Sequence, residues 1–408
     1  MELQADNARD EPAVDVADRL VRNFDHLDPA LNYPVLDAVY RGLSEGPPVT
    51  TTTSHGGFAL VCGHAEILEV EKDWATYSSA GGVLHPPHEG RTRNIPTEYD
   101  PPEHTAYRKL FMDVLSVPRV RRIEPFLRDL TETVVREFVD SEELDFVAGV
   151  AVQLPIRAIG SLLGWGESAS KDIQAFATSM LEHLGTPKMA EAIQSFAALA
   201  LAEIEDRRNN PRDDYMTSLI QLDFDGRRLT DAELLTMMQT FAFAGFETTA
   251  HAIGSLVHHL ALHPELQDRL RDEPQLVDNV VEEGLRMFLP VHTMFRTVTC
   301  PAQVGGVELD QDDRLVLMFG VANRDSSVFE DPHEFVADRD NARSHLAFGI
   351  GTHYCAGAPL ARAEMRILLD VLRSYPNYAL AGEPQHLPQL MMGQMQGVDY
   401  LPLVFDRP

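Results

Sequence analysis

The feature that most constrains this chain is a single long apolar run between Thr230 and Pro264. TDAE opens it: Thr230 and Glu233 have the spacing of a capping box, in which hydroxyl and carboxylate each satisfy a backbone N–H of the first turn. Apolar residues then recur at helical spacing through LLTMMQTFAFAGFETTAHAIGSLVHHLALH, and Pro264 stops the run. At 1.5 Å per residue this predicts about 50 Å of helix. A helix so long and so poor in charge has to cross the protein interior, and the remaining chain has to be built around it.

The middle of the run reads Ala244-Gly245-Phe246-Glu247-Thr248-Thr249. Gly245 costs a helix about 1 kcal/mol relative to alanine. Thr248 can return its hydroxyl to the carbonyl four residues back, which bends the ladder. One reading is structural, with Gly245 admitting a close neighbour and Glu247 facing a solvent channel. The other is a site, and a glycine, an acid and two hydroxyls together at the centre of a buried helix favour it.

Elsewhere, short apolar stretches bounded by glycine at 58–62 and 304–317 predict a few strands. Most of the rest has helical periodicity, without repeats or a linker tract. The expected architecture is mainly α with a small β portion: one domain over residues 31–408, preceded by a loose acidic arm over 1–30. Hydrophobic residues at 44% exclude wholesale disorder, and a net charge of −29 argues against nucleic acid or an anionic membrane as partner. The acidic N-terminus lacks a basic segment followed by an apolar one, and no stretch reaches the roughly 20 apolar residues of a membrane span, so a soluble cytoplasmic protein is expected. Cys62, Cys300 and Cys355 are too few for a disulfide framework and form no CxxC pair.

The second informative segment is HLAFGIGTHYCAGAPLARAEMRILLDVL, around Cys355. Gly349 and Gly351 allow a backbone path closed to other residues. The periodicity after Cys355 predicts a helix with Pro359 in its first turn, so the cysteine precedes a helix N-terminus, where free N–H groups stabilise a thiolate. A lone cysteine is more often a small buried hydrophobe, and one in such a turn can also be a nucleophile. Neither alternative accounts for Phe348, Gly349, Gly351, His353, Cys355 and Gly357 occurring together.

FGIGTHYCAG resembles the haem-binding signature of the cytochrome P-450 family of haem-thiolate monooxygenases. AGFETT is similar to that family's oxygen-activating helix motif, and Glu283-Gly284-Leu285-Arg286 matches its ExxR motif. Arg339, in FEDPHEFVADRD, occupies the position of the third member of that ion network. DPPEHTAYR resembles the region carrying haem-propionate partners. The resemblance covers roughly residues 100–360, four motifs in order. It implies the triangular-prism fold of that family, with haem b between the long central helix and the helix after the cysteine loop.

By this resemblance Cys355 is the metal ligand and pushes electron density onto iron. Thr248 is the hydrogen-bond partner on the oxygen side, and Glu247, where many members have Asp, is the proton relay. Haem-binding positions map to His104, Arg108, Ala244, Arg296, His345, Phe348, Gly349, His353, Cys355 and Gly357. Among these His104, Arg108, Arg296 and His345 are the propionate partners. Glu283, Arg286 and Arg339 are a structural network. Substrate-pocket candidates are Val83, Phe243, Val291, His292, Met294 and Gln394, within segments that include 81–88. The implied reaction is dioxygen-dependent hydroxylation of a small to medium, largely apolar molecule such as a terpenoid or aromatic compound. Electrons would come from a [2Fe–2S] ferredoxin and its reductase, docking near Arg108, Lys109, Arg343, Arg362 and Arg366, on a monomer. Desaturation, coupling or peroxide-driven oxidation are alternatives within the family. A haem sensor and a cysteine-nucleophile hydrolase are alternatives outside this chemistry.

Overall fold

The structure is a computed structural model, and it describes residues 13–86, 92–141, 143–165, 175, 179 and 187–406. In chain order its α-helices are α1 (Ala13–Arg22), α2 (Tyr33–Ser44), α3 (His64–Lys72), α4 (Glu103–Leu115), α5 (Val117–Val139), α6 (Gln153–Leu163), α7 (Pro187–Asn209), α8 (Tyr215–Gln221), α9 (Asp231–Leu262), α10 (Pro264–Asp272), α11 (Val277–Met287), α12 (Phe319–Ala322) and α13 (Ala358–Leu372). The chain divides into two compact units. One comprises Met1–Glu89, Asp278–Cys355 and Gln385–Asp399; the other comprises Gly90–Val277, Ala356–Pro384 and Tyr400–Pro408.

The first unit contains the main sheet. Its strands are β1 (Val49–Thr52), β2 (Phe58–Val61), β3 (Tyr77–Ser78), β4 (Thr293–Val298) and, after the small hairpin β5 (Ala302–Val304) and β6 (Val307–Leu309), β7 (Arg314–Met318). The spatial order is β1-β2-β7-β4-β3, with β2 and β7 parallel and the other pairs antiparallel. The glycine-bounded stretches therefore become strands where the sequence predicts them. The expected loose arm is corrected. Its first twelve residues lie outside the described set, but from Ala13 the chain is helical, and Val16, Ala17, Leu20, Phe24 and Leu31 are buried against α2 and the sheet. Four of those residues, 16, 17, 20 and 24, carry the helical spacing that the acidic composition obscures.

The second unit is built on α9. Thr230 Oγ1 accepts from Glu233 N at 3.2 Å, while the Glu233 carboxylate accepts from Thr230 N at 2.7 Å, completing the capping box. The helix ends at Leu262, two residues before Pro264 opens α10. Gly245 has a packing reason: a Cβ there would stand 2.0 Å from Ile159 Cδ1 of α6. Helix α13 packs against α5 and buries Glu364, whose two carboxyl oxygens have no hydrogen-bond partner among the described residues. Burial pushes that carboxyl up to about 8, which leaves it uncharged at neutral pH.

Candidate active site

In the first unit the segment 345–355 wraps a tight turn. Gly349 and Gly351 take φ of 61° and 66°, the left-handed region that side chains resist. Space also requires glycine here: a Cβ on Gly351 would lie 2.7 Å from the Glu71 carbonyl oxygen. The turn closes through Cys355 N donating to Phe348 O at 2.8 Å. Phe348 also sits edge-on to Tyr354 at 6.4 Å between ring centres, and His353 ends a short 3₁₀ turn begun at Gly351. The Cys355 thiol is exposed, and the chain continues through Ala356 and Gly357 into α13. Cys62 differs in kind, since it is buried and burial pushes its thiol up to about 12.

Glu71, at the end of α3, braces this turn. One carboxylate oxygen accepts from Ile350 N at 2.5 Å and the other pairs with Arg296 Nη2 at 3.0 Å; both side chains are buried. Desolvation raises the Glu71 carboxyl, and Arg296 and the Ile350 N–H oppose that shift. Arg296 also donates to the Phe295 carbonyl at 2.9 Å. The sequence reading did not single out Glu71. The signal was available, because it follows Ile67 by four residues on a stripe that also buries His64 and Val70. Glu282 was also missed. His345 Nε2 lies 3.0 Å from Glu282 Oε2, and its Nδ1 accepts from Ala347 N at 3.1 Å.

The ion network lies in the same unit and is saturated. Arg286 grips Glu283 with two bonds of 2.8 Å and donates to the carbonyls of Asn323, Pro332 and Glu334. Arg339 Nε reaches both Glu283 oxygens at 3.0 and 3.1 Å, and Val336 N donates to the same carboxylate at 2.9 Å. With Glu283 and Arg286 both at 0% exposure, such charges persist only because each donor and acceptor is matched.

Of the pocket candidates, Val83, Val291, His292, Met294 and Gln394 belong to this unit. Gln394 Nε2 donates to Val83 O at 2.8 Å, His292 N donates to Gln394 O at 2.7 Å, and Val291 bridges to Met395. The His292 imidazole belongs to the unit's interior. It is buried against Tyr40 at 5.5 Å and is held down to about 3 by desolvation and then by Arg324. Residues 87 and 88 of the 81–88 segment lie outside the described set.

In the second unit, Thr248 Oγ1 donates to Ala244 O at 2.9 Å, the back-bond that loosens a helix. Ala244 is exposed and Phe243, Gly245 and Thr248 are partly so, in the middle of a helix that is otherwise largely buried. Glu247 is buried, with His251 Nε2 at 3.5 Å one turn on. His104, in α4, is buried one turn before the half-buried Arg108; desolvation, then Arg108, holds its imidazole down to about 4. It is therefore neutral at pH 7 and can donate a hydrogen bond to a carboxylate without carrying charge.

A sequence model of the cytochrome P450 family matches residues 169–375. The chain is 30% identical over 376 residues to the steroid C26-monooxygenase of Mycobacterium tuberculosis (strain ATCC 25618 / H37Rv), covering 90% of this chain and 93% of that one. It is 34% identical over 313 residues to the 6-deoxyerythronolide B hydroxylase of Saccharopolyspora erythraea, covering 75% and 77%. The solved structure of CYP108D1 from Novosphingobium aromaticivorans matches with a TM-score of 0.83 at 27% identity, over 97% of this chain and 98% of that one. The cofactor of such enzymes is haem b held by a thiolate, and the donors described above fit it: one exposed thiol closes a glycine turn, while the buried thiol stays protonated. The chain belongs to the cytochrome P450 family of haem-thiolate monooxygenases.

Proposed function

We propose that this enzyme hydroxylates a small to medium, largely apolar molecule, using dioxygen and two electrons from a ferredoxin. The observation that carries the reading is the acid–hydroxyl pair on α9: Glu247 buried beside His251, and Thr248 back-bonded to Ala244 O. An oxidation driven by peroxide, or a haem sensor, needs no such pair.

Haem b, when bound, supplies dioxygen activation and insertion of one oxygen atom into the substrate. Cys355 holds its iron as a thiolate, and Phe348 shields the sulfur. The Gly349–Gly351 turn, braced by Glu71, fixes where that sulfur points. Glu247 takes a proton inward from solvent, and Thr248 passes it on through a hydroxyl that exchanges its Ala244 bond for one to the acceptor. His104, Arg108 and Arg296 would hold the propionates. His345 joins them only by sharing its Nε2 with Glu282.

Val83, Phe243, Val291, Met294 and Gln394 contact the substrate. The apolar character of Val83, Phe243, Val291 and Met294 agrees with the steroid and the 6-deoxyerythronolide B in the relatives' names. Against a net charge of −29, Arg108, Lys109, Arg343, Arg362 and Arg366 are the cations offered to an acidic ferredoxin. The Arg343 side chain is 70% exposed and pairs with Glu282 at 3.6 Å, and Arg366 is paired with Glu124 at 2.9 Å.

Two measurements test this. Carbon monoxide on the ferrous protein is expected to give the long-wavelength Soret band of thiolate ligation, lost in Cys355→His. A compound that shifts the ferric Soret band from low to high spin is then expected to yield one hydroxylated product per NADH with a ferredoxin and its reductase. An unshifted carbon monoxide band overturns the ligand, and NADH use without any oxygenated product overturns the reaction.

A further inference from the structure

Away from the thiol turn, the first unit gathers three histidines and an aspartate around the turn that joins β1 to β2. Asp25, His26 and His55 each present a ligand atom, and the three atoms lie within 4.8 Å of one another. His55 Nε2 is 2.7 Å from Asp25 Oδ1. His26 is completely buried, and its Nε2 lies 2.6 Å from the carbonyl oxygen of His85. A carbonyl can only accept, so this bond fixes the proton on Nε2 and leaves Nδ1 with its lone pair. Nδ1 has no hydrogen-bond partner among the described residues. A buried imidazole with one nitrogen tied to a carbonyl and the other bare is the tautomer that metal-binding histidines adopt.

His85 organises the cluster. Its carbonyl orients His26, and its Nε2 donates to the His55 carbonyl at 3.0 Å. His55 is itself held at φ 50°, ψ 36°, a left-handed conformation rare for a residue with a side chain. Such a conformation persists where the surroundings enforce it, and here it turns the imidazole toward Asp25. Phe58 and Phe295 wall the His26 ring at 5.4 and 4.9 Å between ring centres. The His55 and Asp25 side chains remain 28% and 31% exposed, so the group has a buried ligand, an apolar wall and an open side.

We propose that Asp25, His26 and His55 bind a divalent cation of the zinc class through the Asp25 carboxylate, His26 Nδ1 and His55 Nε2. Bond lengths of about 2.0–2.2 Å in tetrahedral geometry set donor atoms about 3.4 Å apart, closer than the 4.8 Å within which one ligand atom of each residue lies, so side-chain rotation has to bring them together. Two imidazoles and one carboxylate suit Zn²⁺, Co²⁺, Ni²⁺ or Cu²⁺, whereas Ca²⁺ and Mg²⁺ call for oxygen ligands. His55 binds as the neutral imidazole with its proton on Nδ1, and the cation takes the place of the contact between Nε2 and Asp25. Open positions are filled by water.

The test uses the haem-loaded full chain, treated with a chelator, dialysed and titrated with zinc sulfate by calorimetry, with bound zinc counted by mass spectrometry. One equivalent is expected at micromolar or tighter affinity, and magnesium is expected to bind at least 100-fold more weakly. His55→Ala and Asp25→Ala are each expected to weaken zinc binding at least tenfold. His85→Ala, which removes no ligand, is expected to weaken it about 10–100-fold through lost orientation. Unchanged haem content and carbon monoxide spectra in these variants show that the fold is kept and separate this result from the haem reading. Absence of a stoichiometric site, or a site undiminished in the Asp25→Ala/His55→Ala double variant, overturns the proposal.

Discussion

Glu364 gives the sharpest energetic test of how this interior is built. Its carboxyl is fully buried in α13 and is pushed up to about 8 by desolvation, against an ordinary value of 4.5. Below about pH 4.5 the acid is protonated in both folded and unfolded chains and its burial carries no electrostatic penalty. As pH rises, the unfolded chain releases the proton while the folded one retains it, so stability falls through the window between the two values and levels off above about pH 8. At 1.36 kcal/mol per unit, the loss relative to an uncharged isostere is about 1.4 kcal/mol at pH 5.5, about 3 kcal/mol at pH 7 and about 4 kcal/mol at pH 8. Glu364→Gln keeps the shape and removes the titration. Guanidinium unfolding of both haem-loaded proteins across this range is expected to show the variant more stable, by a margin that widens with pH. Buried histidines held low, His26 and His104 among them, change stability in the opposite direction but equally in both proteins, so the difference isolates Glu364. A margin that stays flat from pH 5.5 to 8 refutes the reasoning, since it would mean that the carboxyl ionises as it does in water.

Three other outcomes follow from the packing and the site. Glu283→Ala strands Arg286 and Arg339 in the interior, a loss of about 3–5 kcal/mol; apoprotein or no soluble protein is expected, and a soluble variant with normal haem content by pyridine haemochrome assay refutes the structural role. Gly245→Ala gains about 1 kcal/mol of helix propensity but drives a methyl into Ile159, costing about 1–3 kcal/mol, so a lower unfolding midpoint is expected, with Ile159→Val partly restoring it. Thr248→Ala is expected to keep consuming NADH while releasing peroxide in place of product, and Glu247→Gln to slow turnover about 10²–10⁴-fold; full coupling in Thr248→Ala, measured as product per NADH, refutes the relay.

The long helix, its cap and its stop were legible because they rest on local rules: a Thr-Glu pair three apart, apolar spacing, a proline. The ion network was legible only through resemblance, since an acid and an arginine three residues apart are common on helices. What could not be read were the partners supplied by distant segments. Glu71 is 225 positions from Arg296 and 279 from Ile350, and nothing in HAEILEVEK announces either. His292 looked like a polar group beside a pocket, yet its ring packs on Tyr40, a contact set by how α2 meets the sheet. The N-terminal segment was read from its charge, and the charge lies on the face that does not pack.

Glu71 also has an evolutionary consequence. The residue divides its two oxygens between an arginine on one strand and a backbone amide five positions before the cysteine, and two glycines leave room for it. No one of these positions can drift alone. A lineage that replaces Arg296 inherits a buried acid without its counter-ion, and one that replaces Gly351 pushes the turn off the end of α3. Glu71, Arg296, Gly349 and Gly351 are therefore expected to be kept or exchanged as a set.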